Sequence, residues 1–73
     1  MSDRFVHVLF QSTHHALWAE QVLQQAGIAA RVVSVPRELS SDCGYCVRVA
    51  RPAADDARVA LQVAGVEFDR FVD

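Results

Sequence analysis

Two segments of this chain repeat one pattern, and the repetition limits the folds that it can adopt. The first, VLQQAGIAARVVSV, spans residues 22–35, and the second, ALQVAGVEFDRFV, spans residues 60–72. In each segment the end of an amphipathic helix is followed by Ala-Gly, an Ile or Val, and a run of residues typical of a strand. The chain therefore contains two helix–strand units of similar length.

Local patterns predict the other elements. The segments RFVHVLF and YCVRVA are rich in β-branched and aromatic residues, which indicates two further strands. Gly27 and Gly65 each stand where a glycine with positive φ ends a helix. We predict strands over residues 4–10, 30–35, 45–50 and 67–72, one helix from Ser12 or Thr13 to Ala26, and a second from Pro52 to Ala64.

The order βαββαβ is typical of a ferredoxin-like α+β sandwich, in which two helices cover one face of a four-stranded antiparallel sheet. We expect residues 1–73 to form one small domain of this kind. In that topology the hairpin between the second and third strands lies at the same sheet edge as the start of the first helix. Ser12, Thr13 and His14 would then face the polar loop from Pro36 to Gly44.

Size and charge exclude several classes of function. A chain of 73 residues is too short for a large enzyme with its own enclosed cavity. Its hydrophobic content of 52% and charged content of 22% are typical of a globular domain. A net charge of −2 gives no basic footprint for nucleic acid. Neither a membrane span nor a secretory signal is indicated, so we expect a cytoplasmic protein.

The loop residue Cys43 is the best candidate for chemistry. It stands between polar residues and Gly44, in a setting unlike the apolar runs that hold structural cysteines. Arg37 in the same loop, Arg48 in the next strand and the start of the first helix would lower the pKa of its thiol and favour the thiolate. We interpret Cys43 as a nucleophilic thiol.

Cys46 completes a CxxC motif, but the motif enters a strand instead of capping a helix. Cys46 is therefore either a second, resolving thiol or a strand residue buried against one face of the sheet. A single CxxC supplies two ligands where zinc takes four, and His14 and His15 add only a weak case, so we predict no metal site. No sequence feature indicates a cofactor.

Two further expectations concern packing. Glu20 lies within the apolar stripe of the first helix, where it either reaches solvent or pairs with an arginine such as Arg48. The first strand is largely apolar on both faces, and an uncovered apolar sheet needs a cover. A homodimer through the open sheet face is therefore predicted.

Taken as a string, the chain resembles the small bacterial family of selenium/sulfur carrier-like proteins, a domain of unknown function. The resemblance covers nearly the whole chain, and its most specific part is the block Pro-Arg…Ser…Cys-Gly. The residues that carry it are Phe10, Ser12, Thr13, Ala16, Glu20, Leu23, Gly27, Ile28, Pro36, Arg37, Ser40, Cys43, Gly44 and Arg48.

The resemblance implies a cytosolic carrier protein that holds a persulfide or selenenyl sulfide on Cys43. It favours such a carrier over a stand-alone enzyme. Arg37 and Arg48 would be its charge partners, and Ser12 and Thr13 the facing helix cap. The implied partners are a desulfurase-like donor, a sulfurtransferase or enzymes of selenium metabolism. Two alternatives stay open, namely a non-catalytic ligand-binding or regulatory module, and a thiol–disulfide switch between Cys43 and Cys46.

Overall fold

The structure, a computed structural model, describes residues 4–36 and 44–72. Within them the elements follow the predicted order βαββαβ. They are β1 (Phe5–Leu9), α1 (Thr13–Gln25), β2 (Ala30–Ser34), β3 (Tyr45–Ala50), a 3₁₀ turn (Arg51–Ala53), α2 (Ala54–Ala64) and β4 (Arg70–Val72).

The four strands form one antiparallel sheet in the order β2-β3-β1-β4. This is the ferredoxin-like arrangement that the sequence predicts, with β1 and β3 at the centre and β2 and β4 at the edges. In the register, Val6 lies opposite Val49, Val8 opposite Val47, and Leu9 opposite Cys46. Side chains alternate along each strand, so paired residues such as these point to the same face of the sheet.

One face of the sheet and both helices enclose the hydrophobic core. Ala and Leu residues of α1 and α2 pack there on the valines of β1 and β3, and the small alanines let the helices approach the sheet closely. The core residues are Val6, Val8, Phe10, Ala16, Ala19, Leu23, Ala30, Val47, Val49, Ala57, Leu61 and Val66.

Both helices end at the glycines that the sequence indicates, although α2 begins at Ala54 and not at Pro52, because residues 51–53 form the 3₁₀ turn. Gly27 and Gly65 have φ of 82° and 77°, in the left-handed region that favours glycine. At the other end of α1, the side chain of Ser12 caps the helix by accepting from the backbone N–H of His15 at 3.2 Å. In the described part of the chain, neither helix has the length and apolar composition that crossing a bilayer requires.

Three strands are shorter than predicted, and β2 is one of them, since it spans Ala30–Ser34 instead of residues 30–35. β4 begins at Arg70 and not at Glu67, because Leu9 is the last residue of β1 that pairs with it. Beyond Leu9 the chain turns into α1, so the residues before Asp69 have no strand to pair with. The N–H of Asp69 makes the last such bond, to the carbonyl oxygen of Leu9 at 2.7 Å. β1 likewise spans Phe5–Leu9 instead of residues 4–10.

Candidate functional site

The predicted site lies at the sheet edge where β2 and β3 are joined. The N–H of Val35 donates to the carbonyl oxygen of Gly44 at 3.1 Å, which extends the pairing of β2 and β3 by one step. Gly44 has φ of 78°, a conformation that glycine adopts without strain. Cys43 and Arg37, the two loop residues predicted for the site, lie outside the described residues.

The start of α1 lies at this same edge. Leu9, the last residue of β1, is paired with Cys46, the second residue of β3. Three positions after Leu9, Ser12 caps α1, and Thr13 is its first residue. The antiparallel register therefore brings the helix cap and the hairpin to one end of the molecule, as the topology predicts.

The helix cap is tied to a histidine. Ser12 Oγ and His15 Nδ1 are hydrogen-bonded at 2.6 Å, in addition to the bond from the His15 N–H. The ring of His15 in turn lies against Trp18, with centroids 6.3 Å apart. His14 is exposed in the first turn. Among the described residues, no group of three His, Cys, Asp or Glu could hold a metal ion.

Cys46 is fully buried in β3, with 0% of its surface exposed. It lies on the sheet face opposite the helices, between Leu9 on β1 and Val33 on β2. Leu9 is buried to the same extent. Cys46 is thus a strand residue packed against one sheet face, and its role as a resolving thiol stays a prediction.

Arg48 shares that face, one step farther from the hairpin than Cys46. It is directly opposite His7 on one side and Arg31 on the other. Its guanidinium carbon lies 4.3 Å from the centroid of the Phe5 ring, in a cation–π contact. Phe5 is paired with Ala50 near the far end of the sheet, so this contact holds Arg48 away from the hairpin. A role of Arg48 toward Cys43 stays a prediction.

Glu20 is partly exposed, and it makes a contact that the sequence does not predict. Its Oε2 accepts a hydrogen bond from the backbone N–H of Val32 at 2.8 Å, and it makes no ion pair with Arg48. Arg31 is not among the predicted site residues. Alternation along β2 and β3 places it on the same sheet face as Arg48, but only once the register of the hairpin is known.

Comparison with known proteins identifies the family of this chain. The model of the family described as "Putative Se/S carrier protein-like" matches residues 6–73, nearly the whole chain. The chain belongs to this family. The resemblance seen in the sequence is thereby confirmed.

A curated relative, "Uncharacterized protein YtiA" of Escherichia coli (strain K12), is 35% identical over 48 residues. The match covers 66% of this chain and 56% of the relative, so the chain spans little more than half the length of that protein. No solved structure matches the chain.

Proposed function

We propose that this protein carries sulfur or selenium on Cys43, as a persulfide or a selenenyl sulfide, and passes it to an acceptor protein. Membership of the Se/S carrier-like family supports the chemistry. The burial of Cys46 supports the choice of residue, and it is the observation that carries the proposal. The chain has two cysteines, and β3 withdraws one of them from solvent.

Chalcogen transfer requires a thiolate that a second protein can reach. The attacking sulfur must approach the outer atom of the donor persulfide along the bond that breaks. Cys46, at 0% exposure among the backbones of three strands, offers no such approach in the folded chain. The alternative of a Cys43–Cys46 switch would require a disulfide at this buried position.

The transfer is an exchange without net oxidation. The Cys43 thiolate attacks the outer sulfur of a persulfide on the donor, and a new S–S bond forms on Cys43. The S–S bond of the donor breaks, and the donor cysteine leaves as a thiolate that takes up a proton from water. Selenium follows the same course where it is the outer atom of the donor. Release to the acceptor is the same exchange, with Cys43 as the leaving thiolate.

The hairpin edge suits such a thiol for electrostatic reasons. The first turn of α1 carries partial positive charge from its backbone N–H groups, and Asp and Glu are absent from that turn. In this proposal Ser12 and Thr13 form the facing cap, Arg37 supplies positive charge from the loop, and Gly44 lets the chain turn from the loop into β3. Arg48 lies against Phe5 and has no part in it.

The partners follow from the chemistry. The donor is a desulfurase-like protein that bears a persulfide, and the acceptor is a sulfurtransferase or an enzyme of selenium metabolism. We place the protein in the cytoplasm, where thiols are kept reduced. A homodimer through the open sheet face belongs to the same proposal, and sedimentation at micromolar concentration tests it.

The test is mass spectrometry of the intact protein after incubation with a cysteine desulfurase and cysteine. We expect the mass of one added sulfur atom on the wild type and on Cys46→Ala, and none on Cys43→Ala. The added sulfur should then disappear on addition of an acceptor thiol. An unmodified wild type, under conditions that load a known carrier, would contradict the proposal.

A further inference from the structure

Three of the six arginines that the structure describes lie on the sheet face opposite the helices, although the chain as a whole carries a net charge of −2. The alternation of the strands places Arg31, Arg48, Arg70 and His7 on this face, and it places no Asp or Glu of the described strands there. Arg70 is paired with Asp69, at 3.6 Å from Nη1 to Oδ2. Arg31 and Arg48 make no ion pair with the residues that the structure describes.

Arg31 and Arg48 are directly opposite each other on β2 and β3. Like charges at directly opposed positions of an antiparallel pair destabilise the sheet. The cost falls when an anion lies between the two guanidinium groups. A bound anion would therefore stabilise this pair.

The contact with Phe5 prepares one of the two groups for such a role. With its guanidinium carbon 4.3 Å from the ring centroid, Arg48 lies over the face of Phe5. The N–H groups lie in the guanidinium plane, so they remain able to donate. A side chain that is already positioned loses less conformational entropy when a ligand binds.

A cavity of about 300 Å³ opens between the two arginines. That volume is at the small end of the range for ligand sites. Apart from Arg31 and Arg48, its walls are Phe5, three alanines and Gln24. The amide of Gln24 is occupied, because its Nε2 donates to the carbonyl oxygen of Ala30 at 3.0 Å. Among the described residues, the walls thus combine two cationic side chains with apolar ones and contain no carboxylate.

We propose that this cavity binds a small phosphate monoester with a compact apolar group. Guanidinium groups recognise phosphate through paired hydrogen bonds, and two of them are matched by its three terminal oxygens and its near-double negative charge. The apolar group would lie on Phe5 and the alanines. The site is separate from the hairpin edge and does not depend on the carrier function of Cys43.

Phenyl phosphate is the probe, titrated into the full chain at low salt and followed by backbone amide NMR shifts. Two further probes separate the contributions of the phosphate and the ring. Inorganic phosphate has the anion without the ring, and benzoate has the ring with a carboxylate in place of the phosphate. We expect saturable shifts centred on Arg31, Arg48 and Ala50, with phenyl phosphate binding more tightly than either of the others. Equal affinity for benzoate would overturn the phosphate assignment, and absence of saturation would overturn the site.

Variants separate this cavity from general attraction to a charged surface. Arg31 is exposed, so Arg31→Gln should fold normally, and it should weaken phenyl phosphate binding at least about tenfold. Arg48→Lys, which keeps the charge and loses the planar fork, should also weaken it. Arg58→Gln on α2 is the matched control and should bind as the wild type does. If all three variants bound equally well, the proposal would be wrong.

Discussion

The carboxylate of Glu20 on α1 accepts a hydrogen bond from the backbone N–H of Val32 on β2, at 2.8 Å from Oε2 to N. One turn along the helix, Gln24 donates to the carbonyl oxygen of Ala30 at 3.0 Å. β2 is an edge strand, and its outward backbone groups would otherwise be open to pairing with another chain. Two side chains of α1 thus satisfy and cover that edge.

Removing this bond should destabilise the protein. Glu20→Ala leaves the Val32 N–H to solvent or unpaired, and we expect a loss of about 1–2 kcal/mol in the free energy of unfolding. Glu20→Gln keeps an oxygen acceptor and should lose less. Gln21→Ala, at the next and exposed position of the helix, is the control. Urea denaturation measures all three, and equal stabilities for Glu20→Ala and Gln21→Ala would contradict the assignment.

The core makes a second prediction on α2. Leu61 is 0% exposed between helix and sheet, whereas Val63, two residues later, is 82% exposed. Leu61→Ala should cost about 2–5 kcal/mol, because a cavity is left where the side chain was. Val63→Ala should change stability by about 0.5 kcal/mol or less. Thermal unfolding of the pair tests which face of α2 packs on the sheet.

Ser12 has a structural role that is separable from its proposed one beside Cys43. Ser12→Ala removes the cap of α1 and should cost about 1 kcal/mol, whereas Ser12→Asp, which still caps, should cost less. Ser34→Ala, at the exposed end of β2, is the control for loss of a serine hydroxyl. Denaturant midpoints give the stabilities. A Ser12→Ala variant as stable as the wild type would mean that the cap contributes nothing.

Much of the fold follows from the sequence because its signals are local. The segment YCVRVA forms β3 with the predicted bounds, and Gly27 and Gly65 end their helices with positive φ. Ser12 caps α1 with its own side chain. Each of these features depends on residues within a few positions along the chain, which periodicity and capping rules describe well.

The remainder depended on contacts between distant segments. Glu20 binds the backbone of Val32, twelve residues later in the chain, only because α1 packs alongside β2. Arg31 meets Arg48 only in the register that the hairpin fixes. Arg48 is predicted as a site residue from the sequence, but the contact of Arg48 with Phe5 depends on the pairing of β1 with β3. Helix and strand patterns carry no information of this kind.

The two cysteines should separate stability from function. Cys46→Ala removes a fully buried side chain and should lower the free energy of unfolding by about 1 kcal/mol, yet still accept sulfur from a donor. Cys43→Ser should accept none. Unfolding curves and sulfur loading measured on the same preparations test this. Loss of loading in Cys46→Ala, with the fold intact by circular dichroism, would assign Cys46 a chemical role and contradict the proposal.

The most direct test compares the two thiols in the native protein. Iodoacetamide is added to the folded wild type, and peptide mapping follows the alkylation of Cys43 and Cys46 over time. The account predicts rapid modification of Cys43, with Cys46 modified only when denaturant unfolds the chain. A Cys46 that reacts as fast as Cys43 under native conditions, or a Cys43 that resists the reagent, would contradict it.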